Sequence, residues 1–195
     1  MSRIEELRKK LGIKTPFQTH GKPLTSKISL TDAEKEKQEP FNSKILETLC
    51  ATGFSHIAPL QFERLIQQIF LVFGFKASLT RVTGDEGIDI KLNTPDGQNG
   101  IVQCKRYAQQ SSVSAREIRE FLGAMVHSSS QFGYYVTTTN FSTQAIEFSK
   151  DKNIYLIDGR KLTKLVISSV GVETNQRSFG NKLEKPIEFL NSFVP

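Results

Sequence analysis

Three residues in two short segments have the types needed for phosphoryl chemistry: Asp89 in "GDEGIDIKL", and Gln103 with Lys105 in "GIVQCKRY". Oxygen donors such as a carboxylate and an amide hold a hard divalent cation. An ammonium beside them stabilises the charge that grows on a phosphoryl oxygen and helps to orient or deprotonate an attacking water. Gathered at one position, the three can hydrolyse a phosphodiester. Strand alternation predicts that they meet. Ile88, Ile90 and Leu92 fall on one face of the first segment, leaving Asp89 and Lys91 on the other. Val102 and Cys104 take the apolar face of the second, with Gln103 and Lys105 opposite. The stretch between them, "NTPDGQNG", is dense in turn formers. With the apolar faces paired, Asp89 shares a face with Gln103 and Lys105, whereas a one-residue slip would bury the charges. A sheet covered on both sides obeys this alternation loosely.

Taken singly, each residue has a plain reading. Asp89 is then an exposed strand aspartate and Lys105 a surface lysine. Gly84, Gly87 and Asp85 argue for a tight turn that delivers Asp89 to an accessible spot, and the spacing of two between Gln103 and Lys105 argues for a shared face. Gln103 binds a cation without charge, which favours one metal site over two. Glu63, early in a helix, equally complements a helix dipole from the first turn. Arg81, Arg106, Arg116 and Arg119 are each an ordinary solvated or ion-paired arginine, and as a set they line an approach for phosphates. Gln131 and Thr137 to Thr139 are candidate polar groups on the rim.

The surrounding elements are legible from periodicity. Apolar residues at helical spacing predict a helix over Phe41 to Thr52 and a stronger one from Pro59, carrying Phe62, Leu65, Ile66, Ile69, Phe70 and Phe73 and stopped by Gly74. Strands are expected near Lys76–Val82, Gly87–Asn93 and Gly100–Tyr107, as an antiparallel meander. A helix follows from about Ala115 to Ser128, with Ser114 as N-cap and Glu117 completing a capping box. "FGYYVTTT" reads as a strand, "STQAIEFSKDK" as a helix, "NIYLID" as a strand and "GRKLTKLVISSV" as a last helix. Strands alternating with helices imply parallel pairing in this half. The expected fold class is therefore α/β, a mixed sheet of antiparallel meander plus parallel strands with helices on both faces.

The chain has 195 residues, 37% hydrophobic and 24% charged, with a net charge of +6 and a pI near 9.3. That length can bury a substantial core, and the basic balance beside a carboxylate and lysine set points to an anionic polymer as partner. Cys50 and Cys104 form no CxxC pair, so a disulfide scaffold and a structural zinc are not expected. No P-loop sequence occurs, and the three histidines form no motif. The charged start "MSRIEELRKKLG" lacks the apolar core of a signal peptide, and no apolar run is long enough to span a bilayer. A reducing cytoplasmic setting is the expectation.

From Phe62 to about Val172 the chain resembles the catalytic domain of Mrr-type restriction endonucleases, a branch of the PD-(D/E)xK nuclease superfamily. The pieces "FERLIQQIFLVFGF", "TGDEGIDI", "VQCKRY", "VSAREIREFLGAM", "VTTTNFSTQAIEFS", "IYLIDGRKL" and "VGV" carry the resemblance, in the family's order. It implies a restriction-endonuclease-like fold and a DNA endonuclease dependent on Mg2+ or Mn2+. The metal would be held by Asp89, Gln103, Glu63 and the backbone carbonyl of Cys104, with Lys105 against the attacked phosphate and Asp85 as a supporting turn residue. The implied partners are double-stranded DNA, a second copy of the chain and a separate recognition subunit. Many relatives carry a winged-helix module ahead of the catalytic domain. Here about 60 residues precede "FERLIQQ", and the expectation is that they are too few and too polar for one. The expected organisation is a polar, partly ordered extension over 1–40, a helical lead-in over 41–58, the catalytic core over 59–172 and a tail over 173–195 packing on it. A repair or junction-resolving nuclease and a catalytically silent DNA-binding module are the alternatives.

Overall fold

The computed structural model describes Phe54 and residues 57–80, 87–107 and 111–173. Helix α1 (Pro59–Val72) begins as its sequence requires, with Pro59 in the first turn, where a missing N–H removes no helical bond. Phe62, Leu65, Ile66, Ile69 and Phe70 are all buried, and burying a large apolar side chain contributes about 1.5–3 kcal/mol. The helix stops at the predicted Gly74, where the Phe75 N–H returns to the Phe70 carbonyl at 3.1 Å.

Strands β1 (Lys76–Leu79), β2 (Ile90–Asn93) and β3 (Asn99–Lys105) form the expected antiparallel meander. The β2–β3 loop is closed by Thr94, whose N–H donates to the Gln98 carbonyl and whose hydroxyl accepts the Gln98 N–H, both at 2.9 Å. The chain continues through β4 (Ser112–Val113), α2 (Ala115–His127), β5 (Phe132–Thr137), β6 (Asn140–Phe141), α3 (Thr143–Ser149), β7 (Ile154–Ile157) and α4 (Gly159–Glu173). Strand β5 lies parallel to both β3 and β7, giving one sheet of order β1-β2-β3-β5-β7. Strands β4 and β6 pair separately and were not expected, since two residues carry no alternation.

Helices α1 and α4 pack on one face of the sheet, against Ile90, Leu92, Val102, Tyr134 and Val136. Helices α2 and α3 cover the other, over Ile101, Tyr135 and Ile154. The protein thus has the anticipated mixed sheet between two helical layers. Strand β5 is buried at every position, as a parallel strand covered on both sides should be.

Chain direction decides where function can sit. A helix that follows a strand starts at that strand's carboxyl end, so α2 and α4 begin at the ends of the parallel strands β3 and β7. Strand β1 is two antiparallel steps from β3 and runs the same way, so α1, which leads into β1, starts at that edge too. Strand β2 enters beside the end of β3. The starts of the helices, the start of β2 and the ends of β1, β3, β5 and β7 therefore share one edge, the usual place for a site in an open α/β sheet.

Two expectations need correcting. Ile88 does not share a face with Ile90 and Leu92; it packs with Ile101 and Tyr135 in the opposite cluster. Gly87 has φ +83°, and the chain turns into β2 only at Ile90, so alternation does not run through Ile88. Glu63 lies in the second turn of α1, so it does not serve the helix dipole from the first. Arg81, Gly84, Asp85, residues 1–53 and the tail beyond residue 173 lie outside the described residues. Among those described, no helix is long and apolar enough to cross a membrane.

Candidate active site

The site is built where β2 enters the sheet. The ladder between β2 and β3 pairs Ile90 with Val102, and its continuation sets Asp89 beside Gln103. The Asp89 N–H donates to the Val102 carbonyl at 2.9 Å, and the Asp89 carbonyl accepts the Thr80 N–H at 3.0 Å. The backbone of Asp89 is thereby held from both neighbouring strands. Its side chain reaches across, and Oδ2 accepts the backbone N–H of Cys104 at 2.6 Å. A sheet amide is thus satisfied by a carboxylate, and Asp89 is fastened to the middle of the Gln103–Lys105 segment.

Gln103 lies directly against Gly87: a Cβ added there would stand 2.9 Å from Gln103 Nε2. The positive φ at 87 favours glycine, and a Cβ there would push the Gln103 amide aside. Glu63 comes from α1 on the same edge. Partial burial pushes its carboxyl upward, and the neighbouring charge of Asp89 pushes it further. Two carboxylates from distant parts of the chain therefore feel one another. Burial, then the charges of Asp89 and Glu63, raise the Cys104 thiol well above its ordinary value and keep it neutral.

Lys105 ends β3, beside Thr137 in the parallel register. Its ammonium acts on Glu117 at the start of α2. Burial alone would raise the Glu117 carboxyl, but hydrogen bonds from Tyr107 and Ser114, together with the charge of Lys105, lower it overall. Glu117 completes the predicted capping box: Oε2 accepts both the Ser114 N–H and the Ser114 hydroxyl at 2.8 Å. Its other oxygen accepts the Tyr107 hydroxyl. Burial and that bond push the Tyr107 phenol up to about 12.

Sequence reasoning placed Glu117 only as a cap and did not single out Tyr107 or Tyr135. Tyr107 was findable, since it lies two residues beyond Lys105 and so follows it on one face. Tyr135 is paired with Gln103 in the parallel register. It is fully buried, and its hydroxyl has no hydrogen-bond partner among the described residues. Burial, then the charges of Glu117, Tyr107 and Asp89, hold its phenol well above the usual range.

The other candidates separate. Thr137 is buried beside Lys105, and the Thr138 hydroxyl bonds the Tyr107 N–H at 3.0 Å and its carbonyl at 3.1 Å. Gln131 does not lie on the rim. It pairs with Asn99 at the opposite end of the sheet, at 2.9 Å in both directions, because β5 runs from Gln131 towards the site. Arg106 is exposed at the site edge. Arg116 pairs with Glu120 at 2.9 Å on the exposed face of α2, and the Arg119 guanidinium stands 5.3 Å from the Phe148 ring centre. Among the described residues, no three His, Cys, Asp or Glu side chains gather as a metal-ligand set.

One comparison decides kinship. The family described as restriction endonuclease, the Mrr catalytic domain, matches residues 54–166, a span containing Glu63, Asp89, Gln103 and Lys105. The chain belongs to this family. It is 31% identical over 154 residues to the type IV methyl-directed restriction enzyme EcoKMrr of Escherichia coli (strain K12), covering 74% of this chain and 48% of that protein. The chain thus spans about half the length of the curated relative it matches. Among solved structures, the DNA modification-dependent restriction endonuclease AspBHI is similar with a TM-score of 0.51 and 18% identity, over 99% of this chain and 49% of that one. That likeness is one of fold, and it agrees with the sheet and layers described above.

Proposed function

We propose that this Mrr-family chain is a metal-dependent DNA endonuclease of restriction type, hydrolysing phosphodiester bonds at the edge where Asp89 meets β3. The observation that carries the reading is the 2.6 Å bond from the Cys104 N–H to Asp89 Oδ2, which joins the acid to the Gln103–Lys105 segment.

The donor set suits a hard cation. The Asp89 and Glu63 carboxylates, the Gln103 amide oxygen and the Cys104 carbonyl are all oxygen ligands, and Mg2+ is typically held by one or two protein carboxylates. Burial raises Glu63 most and the charge of Asp89 raises it further, and a bound cation would relieve that repulsion. These four residues would hold Mg2+ or Mn2+, which supplies charge neutralisation at the scissile phosphate and acidifies water there.

The chain's own residues do the rest. Asp89 fixes the position of the site through its bond to β3. Gln103 presents its amide from a cradle that Gly87 leaves open. Lys105, two residues on and on the same strand face, donates to a phosphoryl oxygen as its charge grows, an effect typically worth on the order of a hundred- to a thousandfold in rate. Tyr107 and Glu117 orient the helix start that faces this ammonium. Arg106, just past the end of β3, and Arg116, at the start of α2, line the approach and contact backbone phosphates.

The substrate is double-stranded DNA. One such site cuts one strand, so a double-strand break uses two copies of the chain or two binding events, and a symmetric dimer is the simple solution. A separate recognition subunit would direct the cut. The relative EcoKMrr is described as methyl-directed, and methylated DNA is the preferred substrate of this reading. The test incubates methylated and unmethylated plasmid with Mg2+ or Mn2+, comparing the wild type with Asp89→Ala and Lys105→Ala. Nicking by the wild type alone supports the assignment; equal nicking by all three proteins overturns it.

A further inference from the structure

Helix α4 carries three cations in its first two turns, Arg160, Lys161 and Lys164, and none of them has a place in the site described above. No acidic residue lies between Asp158 and Glu173. Arg160 is exposed and Lys164 partly so. They stand four residues apart and so on one side of the helix, while Leu162, Leu165 and Val166 turn the other side into the core. The helix terminus itself is occupied, because Asp158 Oδ1 accepts the Lys161 N–H at 2.8 Å. An anion approaching here meets cationic side chains rather than bare helix amides.

The position of this basic turn is fixed by close packing. A Cβ on Gly159 would lie 2.5 Å from the Thr138 carbonyl oxygen, so only glycine lets α4 begin against the exit of β5. The Gly159 N–H donates to the Thr139 carbonyl at 3.0 Å, and the Thr138 N–H donates to the Lys105 carbonyl at 3.3 Å. A continuous backbone path therefore runs from Lys105 through Thr138 to the first residue of α4. Strand β5 separates β3 from β7, so the lateral offset is two strand spacings, about 10 Å. Each strand of a DNA duplex carries a phosphate about every 3.4 Å along the axis, so an offset of this size spans no more than a few nucleotides.

We propose that Arg160 and Lys164, with Lys161 beside them, form a phosphate-binding ridge that holds the DNA backbone within a few nucleotides of the attacked bond. The proposal rests on the endonuclease reading of the Asp89 edge. Such contacts position the duplex without reading its sequence. They set affinity and its salt dependence, and leave the chemistry to the residues at the end of β3.

The test measures binding of a short labelled duplex by anisotropy across a salt series, without divalent metal, using the full chain. Each phosphate neutralised by a side chain adds about 0.9 to the slope of log affinity against log salt, so Arg160→Gln/Lys164→Gln should flatten it by about 2 and weaken binding on the order of ten- to a hundredfold near 0.1 M salt. The charge-keeping pair Arg160→Lys/Lys164→Arg should retain the wild-type slope. So should Lys152→Gln, which lies just before β7 at the far end of the sheet. A wild-type slope in the glutamine pair overturns the ridge and leaves the endonuclease reading standing. An equal loss in the charge-keeping pair also overturns it, since the effect would then be structural. Absence of salt-dependent binding by the wild type overturns both.

Discussion

Oδ2 of Asp89 accepts the backbone N–H of Cys104 at 2.6 Å, so an acidic side chain takes the place of a strand acceptor at the edge of the sheet. Asparagine can still accept that N–H but carries no charge. Asp89→Asn is therefore expected to fold with near wild-type stability while plasmid nicking in Mg2+ falls by on the order of a hundredfold or more, the scale of removing one fixed electrostatic group. Asp89→Ala leaves the amide without its acceptor and should cost a further ~1–3 kcal/mol in urea unfolding. Nicking by the asparagine variant at the wild-type rate would refute the role of the charge.

Gly87 stands at φ +83° with the Gln103 amide 2.9 Å from where a Cβ would be. Alanine there adds left-handed strain of roughly 1–2 kcal/mol and displaces Gln103. The expected result is a modest loss in urea unfolding together with a larger loss of nicking, with duplex affinity unchanged. Parallel losses in all three measurements would mean that the residue acts only through the fold.

Most of this architecture could be read from local signals. The capping box at Ser114 and Glu117 is a four-residue pattern, and it starts α2 where expected. The buried stripe from Phe62 to Phe70 announces α1 by its period. Gln103 and Lys105 follow from their spacing of two. What failed depended on information outside the segment. Ile88 was misplaced because apolar cores cover both faces of the sheet, so an isoleucine is acceptable on either side and only the turn at Gly87 decides. Gln131 was misplaced because its location depends on the direction of β5, set by pairing with β3 across the crossover helix. Tyr134 and Tyr135 face opposite cores within an unbroken apolar run, and nothing in "FGYYVT" marks which one borders the site.

Tyr134 packs edge-on against Phe70, with ring centres 4.9 Å apart, and its hydroxyl is buried without a hydrogen-bond partner among the described residues. A buried unpaired polar group costs about 1–3 kcal/mol, whereas its apolar counterpart keeps the ring contacts. Tyr134→Phe should raise stability by about 1 kcal/mol in urea unfolding and leave nicking unchanged, because the ring lies on the face away from Gln103. A destabilised variant would mean that the hydroxyl is satisfied in solution.

Glu117 links helix stability to pH. Its folded carboxyl is held below the ordinary value of 4.5: burial opposes this, but the bonds from Tyr107 and Ser114 and the charge of Lys105 prevail. For a depressed carboxylate the unfolded chain binds the proton first, so the stabilisation is complete above the unfolded value and is lost as pH falls below about 4.5 towards the folded one. Glu117→Gln retains an acceptor for the cap but cannot ionise. The stability gap between wild type and Glu117→Gln should therefore be constant near neutral pH and shrink as pH drops below about 4.5. Urea midpoints of both proteins over that range measure it, and a gap that widens on acidification would show that the carboxylate is destabilising where it stands.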